Sequence, residues 1–192
     1  ACSAVDQVLE SPLPIRVARE LYVAAKNDIV SYYTHKHSDG LTGFQTELVG
    51  ICDQTKEFFK VCLVKAKDTI IFDIDETVLS NLDVVLEENF ESKRGTDTNH
   101  IFRVAQRCTG IKPMIDLCSW LREKQYKIIF ITSRRGWMPG YTESTIANLK
   151  REGVAVDAED GLFLLEQKYA EGPEKISIGA WKKMIRDQLR AK

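Results

Sequence analysis

The chain lacks both a long hydrophobic run and an excess of charge of one sign. None of its 192 residues belongs to a stretch approaching the roughly 18 apolar residues of a transmembrane helix, and no apolar segment is typical of a signal peptide. With 27 basic and 28 acidic residues the net charge is −1, so the basic footprint of a nucleic-acid-binding protein is missing. We therefore expect a small-molecule substrate and no nucleic-acid partner.

Internal repeats and low-complexity tracts are also missing. With 44% hydrophobic and 29% charged residues, the composition is that of a soluble globular protein. A chain of this length can bury one sizeable core and carry a modest insertion. His35 and His37 lie in a polar turn without a third ligand, which favours a solvated loop over a metal site.

The five cysteines do not form an evident disulfide framework. Cys52 and Cys62 fall in one predicted helix, about 15 Å apart, which is beyond disulfide reach. We expect both to be core thiols. Cys108 and Cys118 flank a short turn, and the sequence leaves open whether they form a bridge or remain thiols.

The most informative segment is TIIFDIDETVLSN, from Thr69 to Asn81. An apolar, β-rich run stops at Asp73 and Asp75, whose side chains share one side of an extended strand. Open α/β sheets bind their ligands at the carboxyl ends of such strands. The two acids are thereby directed at one small volume.

Two carboxylates so close together suit phosphoryl transfer. One can act as a nucleophile that forms an aspartyl-phosphate while the other moves a proton. Mg²⁺ prefers oxygen ligands and offsets the repulsion between the acids and a phosphate. A simple turn with two solvated acids is the alternative for a bare D-x-D, and the strand before it and the threonine after it favour the catalytic interpretation.

The segment FDIDETVLSN is similar to the first motif of the haloacid dehalogenase superfamily. It most resembles the acid phosphatases of class B and of the bacterial lipoprotein type, which have plant vegetative storage proteins as relatives. The resemblance implies that Asp73 is the nucleophile and Asp75 the general acid/base, with Thr77 as a substrate contact. It also implies a Mg²⁺ site made of the Asp73 carboxylate, the Asp75 backbone carbonyl and a later aspartate.

Two further segments extend the resemblance. YKIIFITSRR, Tyr126 to Arg135, looks like the second motif, in which Thr132 would bind a phosphate oxygen. The resemblance also implies that Ser133, the fallback hydroxyl, and Arg134, which would lie near the site, are substrate contacts. AWKKMIR resembles the third motif and implies that the Lys182 ammonium neutralises the aspartate and phosphate charges, with Arg186 in the family spacing. Lys175 and Lys183 compete for that role. The pattern Thr145, Asn148, Leu149 and Gly153 is interpreted as helix and cap residues without a chemical role.

The fourth motif, a strand ending in an aspartate-rich loop, is not found. Residues 187–192 finish a helix. Without that strand the first-motif strand would expose an edge, which is an aggregation hazard. We expect either a longer parent chain, which we favour, or another element that covers the edge. A piece of a longer chain would bind phosphate better than it catalyses its turnover.

The periodicity predicts an α/β fold, a Rossmann-like three-layer parallel sheet with an N-terminal helical extension and a small helical cap. The extension, residues 1–64, contains helices over 14–35 and 41–62, and the phosphatase core covers 65–192, with the cap at about 81–112 and a third strand at 162–165. Candidate cap contacts are Phe90, His100, Phe102 and Arg103.

The predicted function is a Mg²⁺-dependent acid phosphatase acting on small phosphomonoesters. The alternatives are a catalytically weak storage or interaction protein on the same scaffold, and a phosphotransferase to an alcohol. Ala1-Cys2-Ser3 resembles the end of a bacterial lipobox, where the cysteine carries a lipid anchor. This implies a periplasmic or outer-membrane lipoprotein or a secreted protein, with the cytoplasm as the alternative.

Overall fold

The structure is a computed structural model that describes residues 15–62, 68–90, 106–156 and 161–191. Cys2, His100, Phe102 and Arg103 lie outside the described residues. The chain divides into two compact units, residues 1–53 and 54–192. The predicted boundary of the extension at residue 64 stays a prediction.

The first unit contains helix α1 (Ile15–Thr34) and most of helix α2 (Gly43–Val61), which confirms both predicted helices. Between them the chain turns at Gly40, whose φ of 79° favours glycine. The rings of Tyr33 and Phe44 pack with centroids 4.5 Å apart. No helix in the described part of the chain is long and apolar enough to cross a membrane.

The second unit is built on a parallel sheet of three strands: β1 (Thr69–Phe72), β4 (Lys127–Arg135) and β5 (Leu162–Leu165). The order is β1-β4-β5, which confirms the predicted α/β class. Phe72 pairs with Phe130, so β1 and β4 run to the same edge of the sheet. Among the described strands, β1 pairs on its β4 side only.

A β-bulge interrupts the pairing of β4 with β5. Thr132 lies opposite Leu164, and the next pair joins Arg135 to Leu165, so Ser133 and Arg134 have no opposite residue. Bulges re-aim side chains and are common beside active sites. This bulge has no signal in the sequence, because the run KIIFITSRR is typical of one regular strand.

A second, antiparallel pair joins β2 (Leu79–Ser80) to β3 (Thr109–Gly110). Helix α3 (Leu82–Glu87) follows β2. The pair joins the residues just before the predicted cap, at about 81–112, to residues near the end of that segment. It also brings the residue before β3, Cys108, next to the residue after β2, Asn81.

The remaining helices are α4 (Lys112–Glu123), α5 (Tyr141–Arg151), α6 (Gln167–Ala170) and α7 (Ile178–Arg190). Of these, α4 and α7 pack against β4. The core against α7 consists of Ile129, Ile131, Leu165, Trp181 and Ile185. Ile128 and Phe130 alternate with these β4 residues and are fully buried as well. Burial of both faces of β4 is typical of a parallel sheet covered by helices on two sides.

Candidate active site

The two aspartates lie where the sequence analysis expects them, directly beyond the end of β1. The chain then turns tightly, because the Ile74 carbonyl accepts hydrogen bonds from the backbone N–H groups of Thr77, Val78 and Leu79 at 3.2, 3.0 and 3.0 Å. The turn keeps Asp73 and Asp75 at the carboxyl edge of the sheet.

Glu76 occupies the left-handed region in this turn, with φ 55°. Such a conformation costs a residue with a side chain on the order of 1 kcal/mol. Its carboxylate accepts hydrogen bonds from the Asn81 backbone N–H at 2.7 Å and from Asn81 Nδ2 at 3.1 Å. These bonds offset the strain and fix Asn81 beside the aspartates.

Asp73 forms an ion pair with Lys182, with Nζ 2.5 Å from Oδ2. The other carboxylate oxygen, Oδ1, accepts the backbone N–H of Ile74 at 2.8 Å. The Asp73 side chain remains 39% exposed and that of Lys182 19% exposed. A nucleophile needs such access, and a lysine at this distance is placed to share its charge with an anion bound to Asp73.

Helix α7 positions Lys182. The Ser177 hydroxyl caps the helix by accepting the Ala180 N–H at 3.1 Å, and the fully buried Trp181 anchors the first turn in the core. Of the competing lysines, Lys183 pairs with Asp187 at 2.5 Å, and Lys175 lies in an exposed turn. Among the three lysines considered, Lys182 is the one that the structure pairs with Asp73.

Asp75 forms a forked ion pair with Arg134. The NH2 group lies 2.8 Å from Oδ1 and Nε lies 3.1 Å from Oδ2, while the Arg134 side chain is fully buried and that of Asp75 is 17% exposed. Burial by itself lowers the pKa of Arg134, but the hydrogen bonds and charge of Asp75 outweigh it and leave the pKa above its ordinary value. Arg134 is therefore charged, and its charge favours the ionised form of Asp75.

Three residues without a predicted chemical role complete this arrangement. Asn81 Nδ2 donates to Asp75 Oδ1 at 3.0 Å, the Cys108 thiol donates to Asn81 Oδ1 at 3.3 Å, and Arg134 NH1 donates to Thr145 Oγ1 at 3.1 Å. The pattern around Thr145 was interpreted as helix and cap only. Thr145 and Asn148 are polar residues on the buried face of one helix. That pattern is the sequence signal from which a role for Thr145 could have been predicted.

The predicted hydroxyl residues occupy different surroundings. Thr132 is fully buried, and its Oγ1 accepts the Arg134 backbone N–H at 3.2 Å. Ser133 and Thr77 are half-buried. Arg134, predicted as a substrate contact, points its guanidinium at Asp75. The catalytic roles of these residues stay predictions.

The four described cysteines form no disulfide. Cys52, Cys108 and Cys118 are buried thiols, whereas Cys62, expected in the core, is a half-buried thiol. Of the two alternatives that the sequence left open for Cys108 and Cys118, a bridge or two thiols, the structure has the thiols.

The described residues supply part of a binding site for a hard cation. Asp73 offers a partly exposed carboxylate, and Mg²⁺ is commonly held by one or two carboxylates together with water and phosphate oxygens. No group of three His, Cys, Asp or Glu side chains in a metal-binding arrangement occurs within residues 15–62, 68–90, 106–156 and 161–191.

Two solved structures share this fold. They are the class C acid phosphatase from Bacillus anthracis (TM-score 0.61, 18% identity) and the same class of enzyme from that organism with tungstate bound (TM-score 0.58, 16% identity). The matches cover 84% of this chain but only 64% and 65% of those chains.

A comparison with curated protein sequences finds no match. A family match, by contrast, extends over residues 9–192, nearly the whole chain, and its description is HAD superfamily, subfamily IIIB (acid phosphatase). On this match, and in agreement with the three motifs and the parallel sheet, the chain belongs to the acid phosphatase family, subfamily IIIB of the HAD superfamily.

Proposed function

We propose that the chain hydrolyses small phosphomonoesters through an aspartyl-phosphate formed on Asp73. The observation that carries the proposal is the Asp73–Lys182 pair at the end of β1, a solvent-accessible carboxylate with a cation 2.5 Å away. A carboxylate nucleophile is suited to this chemistry. The family to which the chain belongs supports phosphatase activity.

In the first step a carboxylate oxygen of Asp73 bonds to phosphorus while the bond from phosphorus to the leaving oxygen breaks. Asp75, which takes up a proton from solvent before this step, gives that proton to the leaving oxygen. In the second step Asp75 accepts a proton from water as the water oxygen attacks phosphorus, which releases phosphate and restores Asp73. The ionised form that Arg134 favours is the form that accepts this proton.

Lys182 and Thr132 stabilise the charge on the transferring oxygens. Catalysis of phosphoryl transfer depends mainly on positioning and on fixed charges and donors. Mg²⁺, held by the Asp73 carboxylate and the Asp75 backbone carbonyl, would supply further neutralisation of the phosphate charge. Lys182 already balances the charge of Asp73 before substrate arrives.

Replacement of the nucleophile tests the proposal. In Asp73→Asn the amide cannot form the acyl phosphate, so we expect hydrolysis of an aryl phosphate in the presence of Mg²⁺ to be lost while the circular dichroism spectrum is retained. Asp83→Asn, a change of the same kind at an exposed position on α3, serves as the control. Undiminished turnover by Asp73→Asn would remove the assignment.

One observation favours a second candidate, a storage or interaction protein that binds phosphate with little turnover. The described residues hold no group of three potential metal-ligand side chains. A Mg²⁺ titration of turnover separates the two: saturable activation supports the enzyme, and phosphate binding without turnover at any Mg²⁺ concentration supports the binding protein. Transfer to an alcohol would use the same residues, and added glycerol would then lower the ratio of released phosphate to released phenol.

Anchoring through Cys2, and with it a location in the cell envelope, remains part of the proposal. It is supported by the sequence Ala1-Cys2-Ser3 alone. When the chain is expressed in a bacterium behind an added lipoprotein signal peptide, we expect labelled palmitate to be incorporated, and this incorporation to be lost in Cys2→Ser.

A further inference from the structure

We propose that Arg134 and Thr145 are positioning residues that hold Asp75 in place and that neither contacts the substrate. The inference deepens the proposed function and rests on it. It replaces the substrate-binding role that the family resemblance implied for Arg134.

The hydrogen bonds of Arg134 direct its guanidinium at other side chains of the protein. Its side chain is fully buried, and all of its described donors point inward. Nε and NH2 bind the two oxygens of Asp75, and NH1 binds Thr145 Oγ1. Because the guanidinium is planar and rigid, fixing NH1 at Thr145 also fixes the angle at which the fork meets Asp75.

Contacts on the other side of Asp75 hold it as well. Asn81, only 6% exposed, donates from Nδ2 to Asp75 Oδ1 at 3.0 Å and accepts the Cys108 thiol on Oδ1. Arg134 NH2 also lies 3.6 Å from Cys108 Sγ. Asp75, Asn81, Cys108 and Arg134 therefore form a closed ring, which allows the carboxylate little rotation.

Two side chains of helix α5 form hydrogen bonds with members of this ring. Thr145 holds Arg134, and Asn148, one turn further along the same face, donates from Nδ2 to the Cys108 carbonyl at 2.8 Å. Both side chains are buried. A helix that contributes no group to the reaction thus determines the position of the residue that moves the proton.

The proposal predicts a change in kcat without a change in KM. A misplacement of about 1 Å can cost up to a hundredfold in rate. Thr145→Val removes only the hydroxyl and keeps the shape, so we expect kcat for an aryl phosphate to fall about tenfold, with KM and the inhibition constant of inorganic phosphate within about twofold of the unmodified protein.

Two control variants and one independent variant complete this test. Thr145→Ser retains an acceptor for Arg134 NH1 and is expected to restore most of the lost kcat. Thr142→Val removes a hydroxyl from the same helix outside the ring and is expected to leave kcat unchanged. Arg134→Lys keeps the charge but loses the forked pair of hydrogen bonds to Asp75, and it is expected to lower kcat at unchanged KM. This variant tests the positioning role if Thr145→Val unfolds at the assay temperature.

Two results would overturn the inference. A raised KM together with weaker inhibition by phosphate in Arg134→Lys would make Arg134 a substrate contact. Full kcat in both Thr145→Val and Arg134→Lys would show that the ring has no positioning role. Absence of turnover in the unmodified protein would instead contradict the proposed function, and the inference with it.

Discussion

At the scale of the residue, the two aspartates differ in their cationic partners. Asp73 faces a lysine, a compact charge on a flexible stem, and its side chain is 39% exposed. Asp75 faces an arginine whose fork is fixed in the interior. Lysine can move from a carboxylate to a phosphate oxygen, whereas a buried bidentate arginine keeps its geometry. The surroundings thus suit Asp73 to bond formation and Asp75 to proton transfer from a fixed position.

The lysine pair gives a prediction at this scale. Lys182→Met keeps the length of the side chain and removes its charge, so the transferring oxygens lose one fixed cation. We expect kcat/KM for an aryl phosphate to fall about a hundredfold to a thousandfold. Lys183→Met, next to it on α7 and paired with Asp187, is the control and should retain full activity. Equal losses in the two variants would count against the role of Lys182.

At the scale of the element, short segments with defined ends place the functional groups. β1 ends at Phe72, immediately before Asp73, and α7 begins at Ile178, four residues before Lys182. The bulge after Thr132 turns Arg134 out of the regular β4 pattern. A change in any of these ends would move a charged group relative to its partner.

The N-terminal cap of α7 can be tested by itself. Ser177→Ala removes the acceptor of the Ala180 N–H, and we expect the free energy of unfolding to fall by about 1 kcal/mol. Ser177→Asp should keep most of the stability, because aspartate is an equally good cap. Urea denaturation followed by circular dichroism measures both. Equal midpoints for serine and alanine would mean that the cap contributes nothing to stability.

At the scale of the whole molecule, one hydrophobic cluster joins the sheet to the helix that bears Lys182. Trp181 is fully buried against Ile129, Ile131 and Leu165. Its indole Nε1 has no hydrogen-bond partner among the described residues, so its contribution to stability comes from packing. Stability and the position of Lys182 therefore depend on the same side chain.

Truncation of this tryptophan should affect both properties. Trp181→Ala leaves a large cavity and is expected to lower the free energy of unfolding by about 3–5 kcal/mol. Trp181→Phe fills most of the space and removes the unpaired N–H, so we expect a much smaller loss. Thermal unfolding gives the stability, and kcat of the two variants gives the effect on Lys182. A phenylalanine variant as unstable as the alanine variant would contradict the packing account.

The elements that the sequence predicts correctly are those with local signals. The third strand was predicted at 162–165, and the structure has Leu162–Leu165; the two N-terminal helices agree within two residues at each end. These elements depend on neighbours in sequence, whose hydrophobic period sets the face that is buried. The β2–β3 pair was not predicted, because two-residue strands carry no periodic signal.

The sequence by itself determined the family, the α/β class and the adjacency of Asp73 and Asp75, because strand alternation and motif spacing are properties of consecutive residues. Only the tertiary structure decided which lysine pairs with Asp73 and that Arg134 binds Asp75. Those partners are 109 and 59 positions apart. Their meeting depends on how α7 packs through Trp181 and on a bulge in β4, and neither the packing nor the bulge is written in the residues next to them.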